Sequence, residues 1–204
     1  MYPLKILIYF SFLFTFTHNA SATWIRGEDG RIVTQGRSII SEDGGRVMYW
    51  PGTSVKIFFK GTSLEAKMEG CEIGNNYFTV ILDGKVLPDK IKVGKGRNTY
   101  LLAKSLKKNK NHSLELYIQT DTLEGKVLFH GFQLPKGSVV YSPSKKKSLN
   151  IEFYGDSNTS GFSIDYPDKS KDNDKTIYKN NDDSYASITS RNSISLWADF
   201  MEEV

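Results

Sequence analysis

From residue 46 to residue 140 apolar and polar side chains alternate in short runs, and a period of two admits strands and little else. In residues 63–69, Leu64, Ala66 and Met68 fall on one side while Ser63, Glu65, Lys67 and Glu69 fall on the other. Residues 54–60 repeat the rule with Val55, Ile57 and Phe59, and residues 113–120 with Leu114, Leu116 and Ile118. A strand patterned in this way buries one face and wets the other. Residues 77–82 run into Asp83-Gly84, a dipeptide suited to a two-residue hairpin because both central positions take positive φ. Further strands are expected at 99–103 and 126–132, which gives about seven or eight, separated by Gly, Asn, Asp and Lys clusters with no helical period between them. The expectation is a mainly β chain whose residues 23–141 form a sandwich of two antiparallel sheets.

No disulfide within the chain can help this fold, because Cys71 is the only cysteine; it is read as a small, buried or half-buried residue without a role. The absence of a bridge is notable because residues 1–22 read as an export signal. Lys5 supplies the positive start, residues 6–16 an apolar run, and Ala20-Ser21-Ala22 the small residues of a cleavage site. A comfortable membrane span needs about 20 apolar residues, more than this run offers, so a secreted chain without a membrane anchor after cleavage is expected. The net charge of +4 is modest and its lysines are dispersed. The one dense run, Lys145-Lys146-Lys147, lies in a Ser/Pro-containing connector without interleaved aromatics, which argues against a nucleic-acid partner.

Beyond residue 141 the texture changes. Residues 142–148 lack apolar periodicity and read as a linker. Residues 149–154 read as a short apolar strand, followed by Gly155-Asp156-Ser157, a polar stretch at 165–183, and a helical segment from about residue 184 with Asp183 as its N-cap. Strand, tight turn, loop and helix open an α/β unit, so residues 149–204 are expected to be an incomplete α/β domain. Residues 169–181 are rich in Lys, Asp and Asn and read as a surface insertion; their aspartates show no metal-ligand spacing.

The turn after the apolar strand suits a nucleophile. A serine there can project its hydroxyl above a parallel sheet, and its own N–H can hold a developing oxyanion. Gly155 and Gly161 give the backbone freedom on either side. Gly155-Asp156-Ser157-Asn158-Thr159-Ser160-Gly161-Phe162 resembles the nucleophile block of the SGNH, or GDSL, hydrolases, whose pattern is Gly-Asp-Ser-x-Thr-x-Gly and an aromatic. Upstream, Gly36-Arg37, Trp50-Pro51-Gly52-Thr53, Phe59-Lys60-Gly61-Thr62-Ser63, Val80-Ile81-Leu82-Asp83-Gly84 and Gly131-Phe132 resemble the N-terminal jelly-roll of carbohydrate esterase family 2. The resemblance covers about residues 37–191. It implies a jelly-roll followed by an SGNH-type domain, removal of acetyl groups from an acetylated polysaccharide or oligosaccharide of the xylan or glucomannan type, and no cofactor; a monomer without a metal site is expected alongside it. It also implies that Ser157 is the nucleophile and contributes one oxyanion N–H, with Gly155, Asp156, Thr159 and Gly161 supporting the turn.

The resemblance stops short of a base. SGNH enzymes take a histidine and two further oxyanion donors, a Gly and an Asn, from later blocks, whereas this sequence has no glycine after Gly161 and its histidines, His18, His112 and His130, all precede Ser157. His112 and His130 read as satisfied structural residues. The chain is therefore expected to be incomplete as an enzyme and inactive by itself, because a serine hydroxyl without a base is a poor nucleophile. Two other readings stay open: a noncatalytic secreted glycan-binding sandwich and a pseudoenzyme. Trp50, Tyr49 and Tyr77 are the aromatic candidates for the former, with core or edge packing as their plainer role. Of the sequons at Asn111 and Asn158, the first lies in an expected surface turn; a glycan on the second would obstruct Ser157, so Asn158 is expected to stay unmodified.

Overall fold

The structure, a computed structural model, describes residues 22–71, 76–120 and 125–142. Within them thirteen strands build two antiparallel sheets, and no helix occurs. The larger part of one sheet runs β10 (Gly96–Ala103), β6 (Leu64–Gly70), β12 (Val127–Leu134), β4 (Arg46–Met48) and β3 (Ser38–Ile40), with β1 (Thr23–Arg26) sharing the free side of β12 with β4. The other sheet runs β13 (Val139–Tyr141), β5 (Ser54–Lys60), β11 (His112–Ile118), β7 (Asn76–Leu82) and β8 (Lys85–Val86). In that sheet β2 (Val33–Gln35) also pairs with β5, and β9 (Ile91–Val93) with β7. Successive strands repeatedly change sheet: β10 lies in the first, β11 in the second, β12 in the first and β13 in the second. This is the sandwich of two antiparallel sheets expected from the alternation, and the jelly-roll that the resemblance implies.

The long strands follow the sequence pattern closely. Leu64, Ala66 and Met68 are fully buried, as are Val55, Ile57 and Phe59, and Leu114, Leu116 and Ile118; the residues between them on β6 are half-exposed. Asp83 and Gly84 both take positive φ, +52° and +81°, and close the β7–β8 hairpin as their types demand. The strand count is higher than the seven or eight expected. The additional strands β1, β2, β3, β8, β9 and β13 have two to four residues each, too few for a period of two to show, and they exist because longer neighbours offer them open backbone groups. β10 likewise starts three residues earlier than expected, because Gly96, Arg97 and Asn98 pair with β6 although their side chains carry no apolar signal.

The core lies between the sheets, and one irregularity shapes it. Phe129 and Phe132 are three residues apart, a spacing that sends side chains of a regular strand to opposite faces. Between them β12 slips register against β6: Phe129 pairs with Met68 and Gly131 with Lys67, which leaves His130 as the extra residue of a bulge. Both rings consequently enter the core, edge to face at 4.8 Å between centroids. Gly131 makes the bulge possible. Its φ is +148°, and a Cβ there would run into the Ile25 carbonyl oxygen of β1. Gly131→Ala is expected to lower the melting temperature by roughly 10 °C, through a strained φ and an overpacked strand contact. Gly94→Ala, where a Cβ meets open space, should shift it by no more than about 2 °C; thermal unfolding of the two variants checks the contrast.

Candidate functional site

The block expected to carry the chemistry, Gly155, Asp156, Ser157, Thr159 and Gly161, lies outside the described residues, as do the linker at 143–148 and the expected α/β segment. The described residues define what the sandwich contributes, beginning with the upstream motifs.

Each of those motifs has a structural task. Gly36, at φ +76°, sits so close to Thr53 that a Cβ would come within 2.9 Å of the Thr53 Cα. The Thr53 hydroxyl in turn donates to the Arg37 carbonyl at 3.3 Å. Thus Gly36-Arg37 and Trp50-Pro51-Gly52-Thr53, well separated in sequence, form one corner. The Thr53 N–H reaches the Trp50 carbonyl, and the Gly52 N–H reaches the Ile118 carbonyl, which ties the corner to the end of β11. Gly61 packs against Ser138, where a Cβ would meet the hydroxyl at 2.7 Å. Asp83-Gly84 makes the hairpin, and Gly131-Phe132 makes the bulge. None of these residues brings a nucleophile or a base; they hold the sheets in register.

Both described histidines are fully engaged. His112 opens β11 with its side chain 4% exposed; Nδ1 lies 3.0 Å from an Asp83 carboxylate oxygen and Nε2 lies 3.1 Å from the Lys107 carbonyl oxygen. Two acceptor oxygens face the two ring nitrogens, so neither nitrogen is open to take a proton from a hydroxyl. Asp83 also accepts from the Ser113 N–H at 2.9 Å and from Lys110 at 3.0 Å. Partial burial pushes its pKa up, but the Ser113 N–H, Lys110 and His112 outweigh it and hold the carboxyl at about 2. His130, the bulge residue, points to the outside of the six-stranded sheet, with Nε2 2.9 Å from Glu69 and Nδ1 3.4 Å from Asp43. Arg97 bridges the same two carboxylates at 2.9 and 3.6 Å. Glu69 is held below its ordinary pKa by hydrogen bonds from His130 and Arg97. Asp43 is held low by the Ser41 hydroxyl first; desolvation opposes it, and the Gly45 N–H, His130 and Arg97 add to the lowering. These are clamps between neighbouring turns and strands. Among the described residues no group of three or more His, Cys, Asp or Glu side chains is arranged to hold a metal ion.

The aromatic candidates separate. Tyr77 is buried and Tyr49 half-buried, while Trp50 is 52% exposed on the corner. Sequence reasoning did not single out Trp24, which is 40% exposed on β1 with the Lys67 ammonium 5.9 Å from its ring. Its sheet neighbours Gln133 on β12, Glu65 on β6 and Leu101 on β10 continue one row across the outer face. Pairing across four strands created that row, and no local pattern announces it.

With this geometry in place, the relatives are informative. A family model described as "Carbohydrate esterase 2 N-terminal" matches residues 34–143, more than half of the chain. The "Cellulase/esterase CelE" of Acetivibrio thermocellus is 32% identical over 164 residues, covering 79% of this chain and 19% of that protein. A family two carbohydrate esterase from Cellvibrio japonicus superposes with a TM-score of 0.73 at 21% identity, covering 90% of this chain and 50% of its own. Another from Clostridium thermocellum, in complex with cellohexaose, gives 0.67 at 26% identity, covering 84% and 47%. The chain thus spans about half of those two structures and about a fifth of CelE.

The Asp83 clamp generates a pH-dependent prediction. Its folded pKa of about 2 lies below the unfolded carboxylate value, so its stabilisation is present above about pH 4 and is lost as the pH falls towards 2. Asn tolerates the positive φ of this position but cannot pair with His112 and Lys110 as an anion. Asp83→Asn should therefore reduce stability by on the order of 1 kcal/mol at pH 5–6, a value discounted for solvent screening, and by almost nothing near pH 2. Urea unfolding of both proteins across that range measures the difference.

Proposed function

The chain belongs to the carbohydrate esterase 2 N-terminal family, and from that we propose that it is the sandwich and nucleophile-bearing part of a secreted, serine-dependent deacetylase of acetyl-xylan or glucomannan type polysaccharides. Its relatives are carbohydrate esterases. One observation carries the proposal to Ser157. A match over 79% of a 204-residue chain occupies about 160 residues, and an unbroken stretch of that length includes residues 155–159 wherever it begins. A match of that length supports carrying the proposal from the sandwich to the Gly-Asp-Ser turn. The cellohexaose complex of the Clostridium thermocellum relative supports a β-linked oligosaccharide as the type of chain bound.

In the proposed reaction the Ser157 Oγ bonds to the acetyl carbonyl carbon while its proton passes to a base, and the Ser157 N–H donates to the oxyanion that forms. The ester C–O bond then breaks, the sugar oxygen takes up the proton, and water releases acetate from the acylated serine. The base is the missing part. Both ring nitrogens of His112 and of His130 face acceptor oxygens, and no histidine follows Ser157 in these 204 residues. In serine hydrolases losing the base lowers turnover by on the order of a million-fold. The 204-residue polypeptide should accordingly hydrolyse a chromogenic acetyl ester at background rate. A rate well above background that Ser157→Ala abolishes would overturn this expectation.

The exposed Trp50 and Trp24 favour a second reading, a sandwich that holds glycan without cleaving it. Under that reading the chain is retained on insoluble acetylated xylan or glucomannan, and Trp50→Ala or Trp24→Ala releases it. Equal retention of both variants and the parent removes the aromatic sites from consideration.

A further inference from the structure

Lysines that are dispersed along the sequence are gathered by the fold, because pairing brings four connections to one end of the sandwich. β5 ends where β13 begins, with Lys60 opposite Val139, and β11 begins beside them, with His112 opposite Phe59. β7 ends against β11 and turns there into β8, since Leu82 faces both Leu114 and Lys85. In the other sheet β10 ends opposite the start of β6, with Ala103 facing Leu64, and β12 ends next to them, with Gln133 facing Glu65. The loops touch as well: the Leu106 N–H donates to the Thr62 carbonyl, and Gly61 packs on Ser138. Residues 61–63, 83–84, 104–111 and 135–138 therefore share one pole. Lys104, Lys107 and Lys108 stand in the longest of these loops, and Lys60, Lys85, Lys110 and Lys136 lie at strand ends; all are exposed. Against these seven lysines the pole has one carboxylate, Asp83, a net of +6 where the whole chain carries +4, so the remaining residues are net acidic. Asp83 is already engaged by Lys110 and His112. None of the other six lysines forms a salt bridge among the described residues.

We propose that this pole binds an acidic polysaccharide, a sugar chain that bears carboxylates at intervals as uronic acids do. The order of the seven-stranded sheet places Lys136 before β13, Lys60 at the end of β5, Lys110 before β11 and Lys85 in β8, so the lysines span the sheet from edge to edge. Four strand spacings of about 4.8 Å separate β13 from β8, a width of roughly 19 Å that accommodates a segment of polymer. An exposed ion pair contributes little alone, so a partner must engage several lysines together, which a chain of carboxylates does and a single acid does not. Between the lysines stand the exposed Thr62, Ser105, Asn109 and Asn111, whose hydroxyl and amide groups match sugar hydroxyls as donors and acceptors. The loops lack what other polyanions call for. They contain no arginine, whose planar fork suits phosphate, and no aromatic ring on which a base could stack, which argues against nucleic acid. Leu106 packs on the core, and the exposed Val86 and Val139 beside the pole are too small to anchor it in a bilayer. This inference is independent of the esterase reading and of the aromatic sites, since neither Ser157 nor a tryptophan enters it.

Affinity electrophoresis of the full chain in gels containing polygalacturonate tests this. The parent protein should be retarded, less so as salt is added. Fully methyl-esterified polygalacturonate, which keeps the sugars and loses the charge, should not retard it. Lys60→Gln combined with Lys108→Gln should weaken retention roughly fivefold. Lys85→Gln combined with Lys104→Gln provides the same readout should the first pair fail to fold. Lys92→Gln combined with Lys126→Gln removes as much charge away from the pole, at the strand facing the start of β7 and just before β12, and should leave retention unchanged. An unretarded parent overturns the proposal, and so does an equal loss in the control pair, which would reduce the effect to net charge. Equal retention by the esterified polymer would indicate a neutral glycan as the partner, and tighter binding of duplex DNA at the same ionic strength would indicate a nucleic acid; either result overturns it. Acetyl release is not measured in any of these, so their failure and the failure of the esterase reading are separate outcomes.

Discussion

The sandwich depends on an extra residue in β12. Without the bulge at His130, Phe129 and Phe132 would face opposite sides of the sheet, and one large ring would be left on the surface. With it, both rings fill the space between Met68, Ala66 and the facing sheet. Losing either buried ring would cost about 3–5 kcal/mol, a large share of what a small domain has. The same slip turns His130 outward, where Glu69, Asp43 and Arg97 enclose it. One irregularity thus serves the core and the surface together, and Gly131 is the only residue type that fits its backbone and the approach of β1.

The two histidines illustrate how a His–carboxylate contact can be present without chemistry. Each ring has a carboxylate within hydrogen-bond distance of one nitrogen, an arrangement that a search for catalytic pairs would select. In each case the second nitrogen also faces an acceptor, a backbone carbonyl for His112 and a second carboxylate for His130. A general base needs one nitrogen open towards the proton it removes. Here the rings bind turns together: His112 ties the β7–β8 hairpin to the loop before β11, and His130 ties the bulge to β6 and to the turn before β4.

The residues by which the chain resembles carbohydrate esterases therefore divide into two sets with different tasks. Gly36, Thr53, Gly61, Asp83, Gly84 and Gly131 lie in the sandwich and fix close approaches or positive φ, so they hold a shape. The Gly-Asp-Ser block follows the described residues in sequence, and the proposed function gives its Ser157 the reactive hydroxyl. The family match covers residues 34–143, where the first set lies, and the proposed chemistry rests on the second.

By itself, the sequence determined the long strands, the faces they bury and the Asp83-Gly84 hairpin, because a period of two and a pair of residues tolerant of positive φ are local properties. It also named the corner and bulge motifs without revealing their partners. The short strands, the inward turn of both Phe129 and Phe132, the closure of each histidine ring by two acceptors and the Trp24 row across the outer sheet were decided by tertiary structure. Apart from the local pairings of β3 with β4 and β8 with β7, each depends on a backbone or side chain brought from tens of residues away. Burial on the outside of the seven-stranded sheet belongs to the same class: Tyr77 and Thr79 look like ordinary outward strand residues until the folded chain shows them covered. A strand's own residues specify which side is apolar, but only its neighbours specify how many strands pair with it, where a register slips and which outer face is left to be wetted.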